Sequence, residues 1–133
     1  MDRFKKSVIL VVEDDPTTQK VISQQLSKLN VGRIDVAGDG SEALRCLDQR
    51  PYDLILCDIR MQPMGGFDFC TSLRRAVGRR FEPRRANTPI IFMTSSADQH
   101  NVLKAKQAGA QGYLVKPVDD DVLEKRLNRA LPA

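Results

Sequence analysis

Five polar side chains in this 133-residue chain have the types and settings to do chemistry together: Glu13, Asp14, Asp58, Thr94 and Lys116. Each follows a short apolar run: SVILVV before Glu13-Asp14, DLILC before Asp58, PIIFM before Thr94 and GYLV before Lys116. Three neighbouring carboxylates repel one another and stay ionised together only beside a cation. A hard divalent ion with oxygen ligands meets that need, and Mg2+ typically takes one or two carboxylates, keeps several waters and bridges to a phosphate. A lysine and a hydroxyl opposite the acids suit an oxyanion formed at the same place. Together the five describe a site that carries a phosphoryl group on an aspartate, the carboxylate acting as nucleophile. Singly, each has an ordinary reading: Asp58 and Thr94 as caps, Lys116 as a solvated lysine, Glu13 and Asp14 as turn acids. Joint placement at the ends of successive strands selects the chemical reading.

That placement depends on the elements. Continuous apolar runs with no helical stripe read as strands buried on both faces, as in a parallel sheet. They fall at Ser7 to Val12, Arg33 to Ala37, Asp53 to Asp58, Pro89 to Met93 and Gln111 to Val115. Helical patterns lie between them. Asp15-Pro16 starts the first, since Asp suits an N-cap and Pro the first helical position, and Ile22, Leu26 and Leu29 give its stripe. Ser41 is the expected cap of the second, which bears Ala43, Leu44 and Leu47. Phe67, Cys70, Leu73 and Val77 stripe the third, Asp98 to Ala108 forms the fourth, and the fifth follows Asp119-Asp120-Asp121 with Val122, Leu123, Leu127 and Ala130 inward. Five strands alternating with five helices imply an α/β fold, a doubly wound parallel sheet. In such sheets ligands bind beyond the carboxyl ends of the strands, where the five residues converge.

Composition narrows the class. An apolar content of 41% with 29% charged residues is that of a globular protein, and no apolar run approaches the roughly 18 residues of a membrane span. The chain reads as cytoplasmic. Three cysteines (Cys46, Cys57, Cys70) without CxxC spacing and a lone His100 suggest neither a zinc site nor a disulfide framework; all three cysteines read as small buried hydrophobes. Much of the +4 charge comes from Arg74, Arg75, Arg79, Arg80, Arg84 and Arg85. This stretch reads as a connection of about ten residues, longer than usual, and with no aromatic platform beyond Phe81 it does not suggest nucleic-acid binding.

The motifs VVEDD, DLILCDIRMQPMGGF, FMTSSAD and GYLVKPVD, in this order, resemble the receiver domains of two-component response regulators, in particular the single-domain, chemotaxis-regulator type. The resemblance runs from about Ser7 to Ala130 and implies one receiver domain over residues 1–133 with its core at about 7–130. It implies a flavodoxin-like sheet of order 2-1-3-4-5. It further implies that Asp58 accepts phosphoryl from a histidine kinase or histidine phosphotransfer protein, in a reaction needing Mg2+ or, as a substitute, Mn2+. Asp14, Asp58 and the backbone carbonyl of Arg60 would ligate the metal, Glu13 acting mainly through a bound water. Thr94 would match the switch hydroxyl, Lys116 the phosphoryl-contacting lysine, Pro117 the proline after a cis peptide, and Tyr113 the aromatic that turns inward. The face of the fourth helix, fifth strand and fifth helix would then change for a downstream protein target or a homodimer partner. On this reading the chain is no enzyme but a signalling phosphoacceptor that assists only its own phosphorylation and dephosphorylation.

Two features depart from the family pattern. The loop Met61-Gln62-Pro63-Met64-Gly65-Gly66 lacks the usual proline directly after methionine and the acid before the last glycine. Arg60 places a large cation beside the acceptor, and together with Ser96 it is expected to influence how fast phosphate is lost. The end at Leu131-Pro132-Ala133 reads as a stand-alone receiver, against a receiver cut from a longer DNA-binding or enzymatic regulator. A phosphorylation-independent adaptor is the third reading, and the complete set of five residues argues against it. An enzyme acting on an external small molecule is the fourth, disfavoured by the lack of any other polar constellation.

Overall fold

The computed structural model describes residues 2–95 and 99–131, Gln99 by its backbone alone. Five strands, β1 (Val8–Val12), β2 (Arg33–Ala37), β3 (Leu54–Asp58), β4 (Ile90–Thr94) and β5 (Gly112–Val115), form one parallel sheet of order β2-β1-β3-β4-β5. That is the expected order. The helices are α1 (Pro16–Lys28), α2 (Gly40–Gln49), α3 (Gly66–Arg75), α4 (Pro83–Ala86), α5 (Gln99–Gln107) and α6 (Asp120–Ala130). The expected fourth and fifth helices are therefore α5 and α6. Asp98, the expected start of α5, and Ser96 lie outside the described residues.

Residues of the interior strands alternate between two cores. Leu10, Val12, Ile55, Cys57, Ile90 and Phe92 pack with α2 and α3 residues such as Leu47, Phe69 and Leu73. Ile9, Val11, Leu54, Leu56, Ile91 and Met93 pack with Ile22 and Leu26 of α1 and Leu123 and Leu127 of α6. Burial on both faces is why these strands read as unbroken apolar runs rather than alternations.

The structure differs from expectation at several points. The added helix, α4, is a single turn inside the Arg-rich connection, so the described residues hold six helical segments rather than five. Helix α2 is capped by Asp39, not Ser41: the Asp39 side chain accepts from Glu42 N at 3.0 Å while Glu42 accepts from Gly38 N at 3.0 Å. This reciprocal Asp-x-x-Glu arrangement satisfies two amide donors, where a Ser41 cap would leave them open. Val77 leaves the α3 stripe, because the helix ends at Arg75 and the amides of Arg79, Arg80 and Phe81 all turn back onto Ala76 O. Val77 is 43% exposed, and Phe81, 4% exposed, fills the core in its place. On α6 the inner face is Leu123 and Leu127; Val122 is exposed and Ala130 only partly buried. Cys57 and Cys70 are buried as expected, whereas Cys46 is half-exposed.

Candidate functional site

Three local devices fix the acids at the carboxyl edge of the sheet. Between β1 and α1 the chain has only Glu13, Asp14 and Asp15. Glu13 N continues the ladder by donating to Ala37 O at 2.9 Å, and Asp15 caps α1 by accepting from Thr18 N at 2.9 Å and Thr18 Oγ1 at 2.7 Å. Gln19 Nε2 donates to the Glu13 carbonyl. Asp58 is the last residue of β3, and there Ile59 N donates to Met93 O at 3.2 Å. Gly66 then lets the start of α3 pass over that strand end: a Cβ there would meet Asp58 O at 2.3 Å, closer than any side chain tolerates. Lys116 follows β5, its backbone N donating to Thr94 O at 2.8 Å, which brings the ends of β4 and β5 together.

These devices bring four predicted residues together. Glu13, Asp14 and Asp58 each offer a carboxylate oxygen, all within 4.8 Å of one another. Lys116 Nζ lies 2.5 Å from Glu13 Oε1 and 3.3 Å from Asp58 Oδ1. Glu13 is fully buried, Asp58 8% exposed, and Asp14 faces solvent. Thr94 ends β4 one residue beyond Met93, the register partner of Asp58, and is itself buried.

Acid is in surplus here. Burial, then the hydrogen bond and charge of Asp58, raise the Glu13 pKa above its ordinary value against the opposing pull of Lys116. Partial desolvation at the strand end and the neighbouring Glu13 raise that of Asp14, exposed though it is. Burial disfavours the Lys116 ammonium, yet Glu13 and Asp58 outweigh it and raise its pKa. Three carboxylates facing one ammonium leave a deficit of positive charge, and three hard oxygen donors so close fit a divalent cation of the Mg2+ kind.

Arg60 is exposed and, with Asp14, Met61, Gln62, Pro63 and Asp68, lines an open cavity of about 600 Å3 beside the acids. Tyr113 stands opposite Phe92 on β5, half-buried against the α2–α3 core. The Lys116–Pro117 peptide is cis, as the resemblance implies, and so is Gln62–Pro63. Sequence reasoning missed Asp68 in the cavity wall, although its place in the first turn of α3, just after the Gly-Gly pair, is a usable signal. It also missed Gln19, whose contact with Glu13 O has no local signature.

Among the described residues no helix is long and apolar enough to cross a membrane. The family model for the response regulator receiver domain matches residues 9–128. The chain is 33% identical to the chemotaxis protein CheY of Pseudomonas aeruginosa over 121 residues, 91% of this chain and 93% of that protein. It is 34% identical to the transcriptional regulatory protein ZraR of Klebsiella oxytoca, where the match covers 92% of this chain but 26% of the longer protein. Among solved structures, chemotaxis protein CheY4 of Vibrio cholerae superposes with a TM-score of 0.84 at 29% identity, covering 95% of this chain and 99% of that one. The receiver domain of sensor histidine kinase PA1611 of Pseudomonas aeruginosa, with a magnesium ion coordinated in its active site cleft, gives 0.81 at 32% identity over 93% and 96% of the two chains. By motif order, sheet order and the family match across nearly its whole length, the chain belongs to the response regulator receiver domains of two-component signalling.

Proposed function

We propose that the chain is a phosphoacceptor, one receiver unit in which Asp58 takes a phosphoryl group from the phosphohistidine of a kinase or phosphotransfer protein. The observation that carries this reading is the surplus of three carboxylates over one lysine at the carboxyl edge of the sheet. Asp14, Asp58 and the Arg60 carbonyl would hold Mg2+, with Glu13 acting through water. When bound, such an ion would supply the positive charge that three carboxylates and an incoming phosphoryl group need.

An Asp58 carboxylate oxygen forms the new O–P bond as the N–P bond to the donor imidazole breaks, and the imidazole nitrogen takes up a proton. Lys116, already beside Glu13 and Asp58, meets the charge of nearly −2 that appears on the acceptor. Thr94 donates its hydroxyl to the same group, and Tyr113 moves into the space that Thr94 leaves. Those shifts alter the α5–β5–α6 face, where Leu103, Val115 and Val122 are exposed large hydrophobics, and a downstream protein or second copy reads the change. Arg60, at the mouth of the cavity, sets how readily water reaches the acyl phosphate.

Intact mass after incubation with acetyl phosphate tests the reading. The expected result is a gain of one phosphoryl group that needs Mg2+ or Mn2+ and is absent from Asp58→Asn. A gain that survives Asp58→Asn would move the acceptor elsewhere. Absence of any gain, together with no Mg2+ binding by titration, would leave the fold as an adaptor.

A further inference from the structure

The six cations between Ser72 and Ala86 are all arginine, whereas the rest of the chain carries eight lysines and seven arginines. Three of the six are used internally. Arg74 donates to Ala86 O at 3.0 Å, Thr88 O at 2.8 Å and Gly109 O at 2.9 Å, tying the connection to the turn after α5. Arg80 grips Asp48 of α2 through two nitrogens and lies over the Phe81 ring. Arg85 donates to Leu47 O at 2.8 Å and pairs with Glu82 at 3.3 Å. Phe81, Ala86 and Thr88 are buried beneath them. The connection is therefore a fixed structure pinned to α2, α3 and the α5–β5 turn.

Arg75, Arg79 and Arg84 have no such task. All three are exposed, and none has a carboxylate partner among the described residues. Val77, 43% exposed, stands in the same stretch. We propose that Arg75, Arg79 and Arg84, with Val77, form a docking surface for a carboxylate-rich segment of a partner protein.

Two features favour that occupant. A planar guanidinium matches a carboxylate with two parallel hydrogen bonds, whereas simple attraction to an anionic membrane is served as well by lysine, which the segment lacks. Single-stranded nucleic acid draws on exposed aromatic faces for stacking, and the one aromatic here, Phe81, is buried. Pinning the backbone lowers the ordering cost of binding.

The connection enters β4 at the amino edge of the sheet, while Asp58 ends β3 at the carboxyl edge, about 17 Å away by strand length. A partner held here leaves the acid site and the α5–β5–α6 face open. Docking there therefore needs no phosphoryl group on Asp58.

The test titrates the full chain with a fluorescent glutamate-rich helical peptide at about 150 mM salt, where long-range attraction is largely screened. Duplex DNA and phosphatidylglycerol vesicles serve as competing probes. Arg75→Gln, Arg79→Gln and Arg84→Gln combined should weaken peptide binding at least about tenfold, or about 1.4 kcal/mol. The triple lysine variant should recover only a minor part, and Lys5→Gln, Lys6→Gln and Lys125→Gln combined should change binding less than twofold. Mg2+ with acetyl phosphate should leave the affinity unchanged. No binding by the parent chain, equal loss in the lysine-site control, or tighter binding of DNA or vesicles through the same arginines would each overturn the proposal.

Discussion

Asp35 and Asp58 sit on strands that flank β1, and the two carboxylates are provided for in opposite ways. Asp35 has more partners than it needs: Tyr52 Oη donates at 2.6 Å, Arg33 Nε lies at 3.0 Å and Arg50 Nε at 3.4 Å. Burial pushes its pKa up, but the Tyr52 hydrogen bond and the two guanidiniums prevail and hold it below the ordinary value. Burial, and then the carboxylate it faces, push the Tyr52 phenol above its own ordinary value. At the other site three carboxylates share Lys116; desolvation first, then the neighbouring carboxylates, hold Glu13 and Asp14 above their ordinary values. A carboxylate whose partners all come from the protein is a finished structural contact. A cluster with more acid than base is incomplete without a cation, and the direction of the pKa shift separates the two cases.

Removing Lys116 should give the largest effect. In metal-free buffer Lys116→Met should cost about 3 kcal/mol, the lower end for breaking a buried ion pair, because the lysine is partly exposed. Saturating Mg2+ should recover more stability in this variant than in the parent chain, read as the shift in melting temperature. Equal Mg2+ shifts in both would show that the acids lack no positive charge.

Asp35→Asn should be milder, about 1.5–2 kcal/mol, and Tyr52→Phe about 1 kcal/mol, in line with charged and neutral hydrogen bonds. Neither should alter the Mg2+-induced shift or phosphoryl uptake. A loss of Mg2+ response in either would couple the two regions and erase the contrast.

The smallest effect is the most direct comparison, because the two sites carry opposite signs in pH. Asp35 has a lowered pKa, so its contribution is complete above its unfolded value and is lost as pH falls through the folded value. Glu13 has a raised pKa, so the folded state favours its protonated form, and that contribution is lost as pH rises through the folded value. Chemical denaturation without metal should show Asp35→Asn approaching the parent chain below pH of about 4. Relative to the parent, Glu13→Gln should gain as pH rises through the Glu13 folded value, above its ordinary value of 4.5. The same pH trend in both variants would contradict the distinction.

Much of the site was legible because its parts are local. Each acid, hydroxyl or lysine follows an apolar run, and parallel pairing sends every such end to one edge. Asp15-Pro16 announces the start of α1 by the chemistry of two adjacent residues. The cap of α2 was legible too, since Asp39 and Glu42 are in view, but a serine nearer the apolar stripe drew the expectation two residues too late.

The periodicity of the elements, their alternation and the identity of the residues at the strand ends all depend on neighbours within a few positions, and so can be read along the chain. Long-range packing set the rest. It decided that the Arg-rich connection folds, because its anchors, Asp48, Leu47 O and Gly109 O, lie 32 to 38 positions away from the arginines that use them. It decided that Val77 gives way to Phe81 in the core, since that exchange depends on a turn closing over α2 and α3. And it decided the charge balance of the two carboxylate settings, because Tyr52 reaches Asp35 and Lys116 reaches Glu13 only when separate strands are laid side by side.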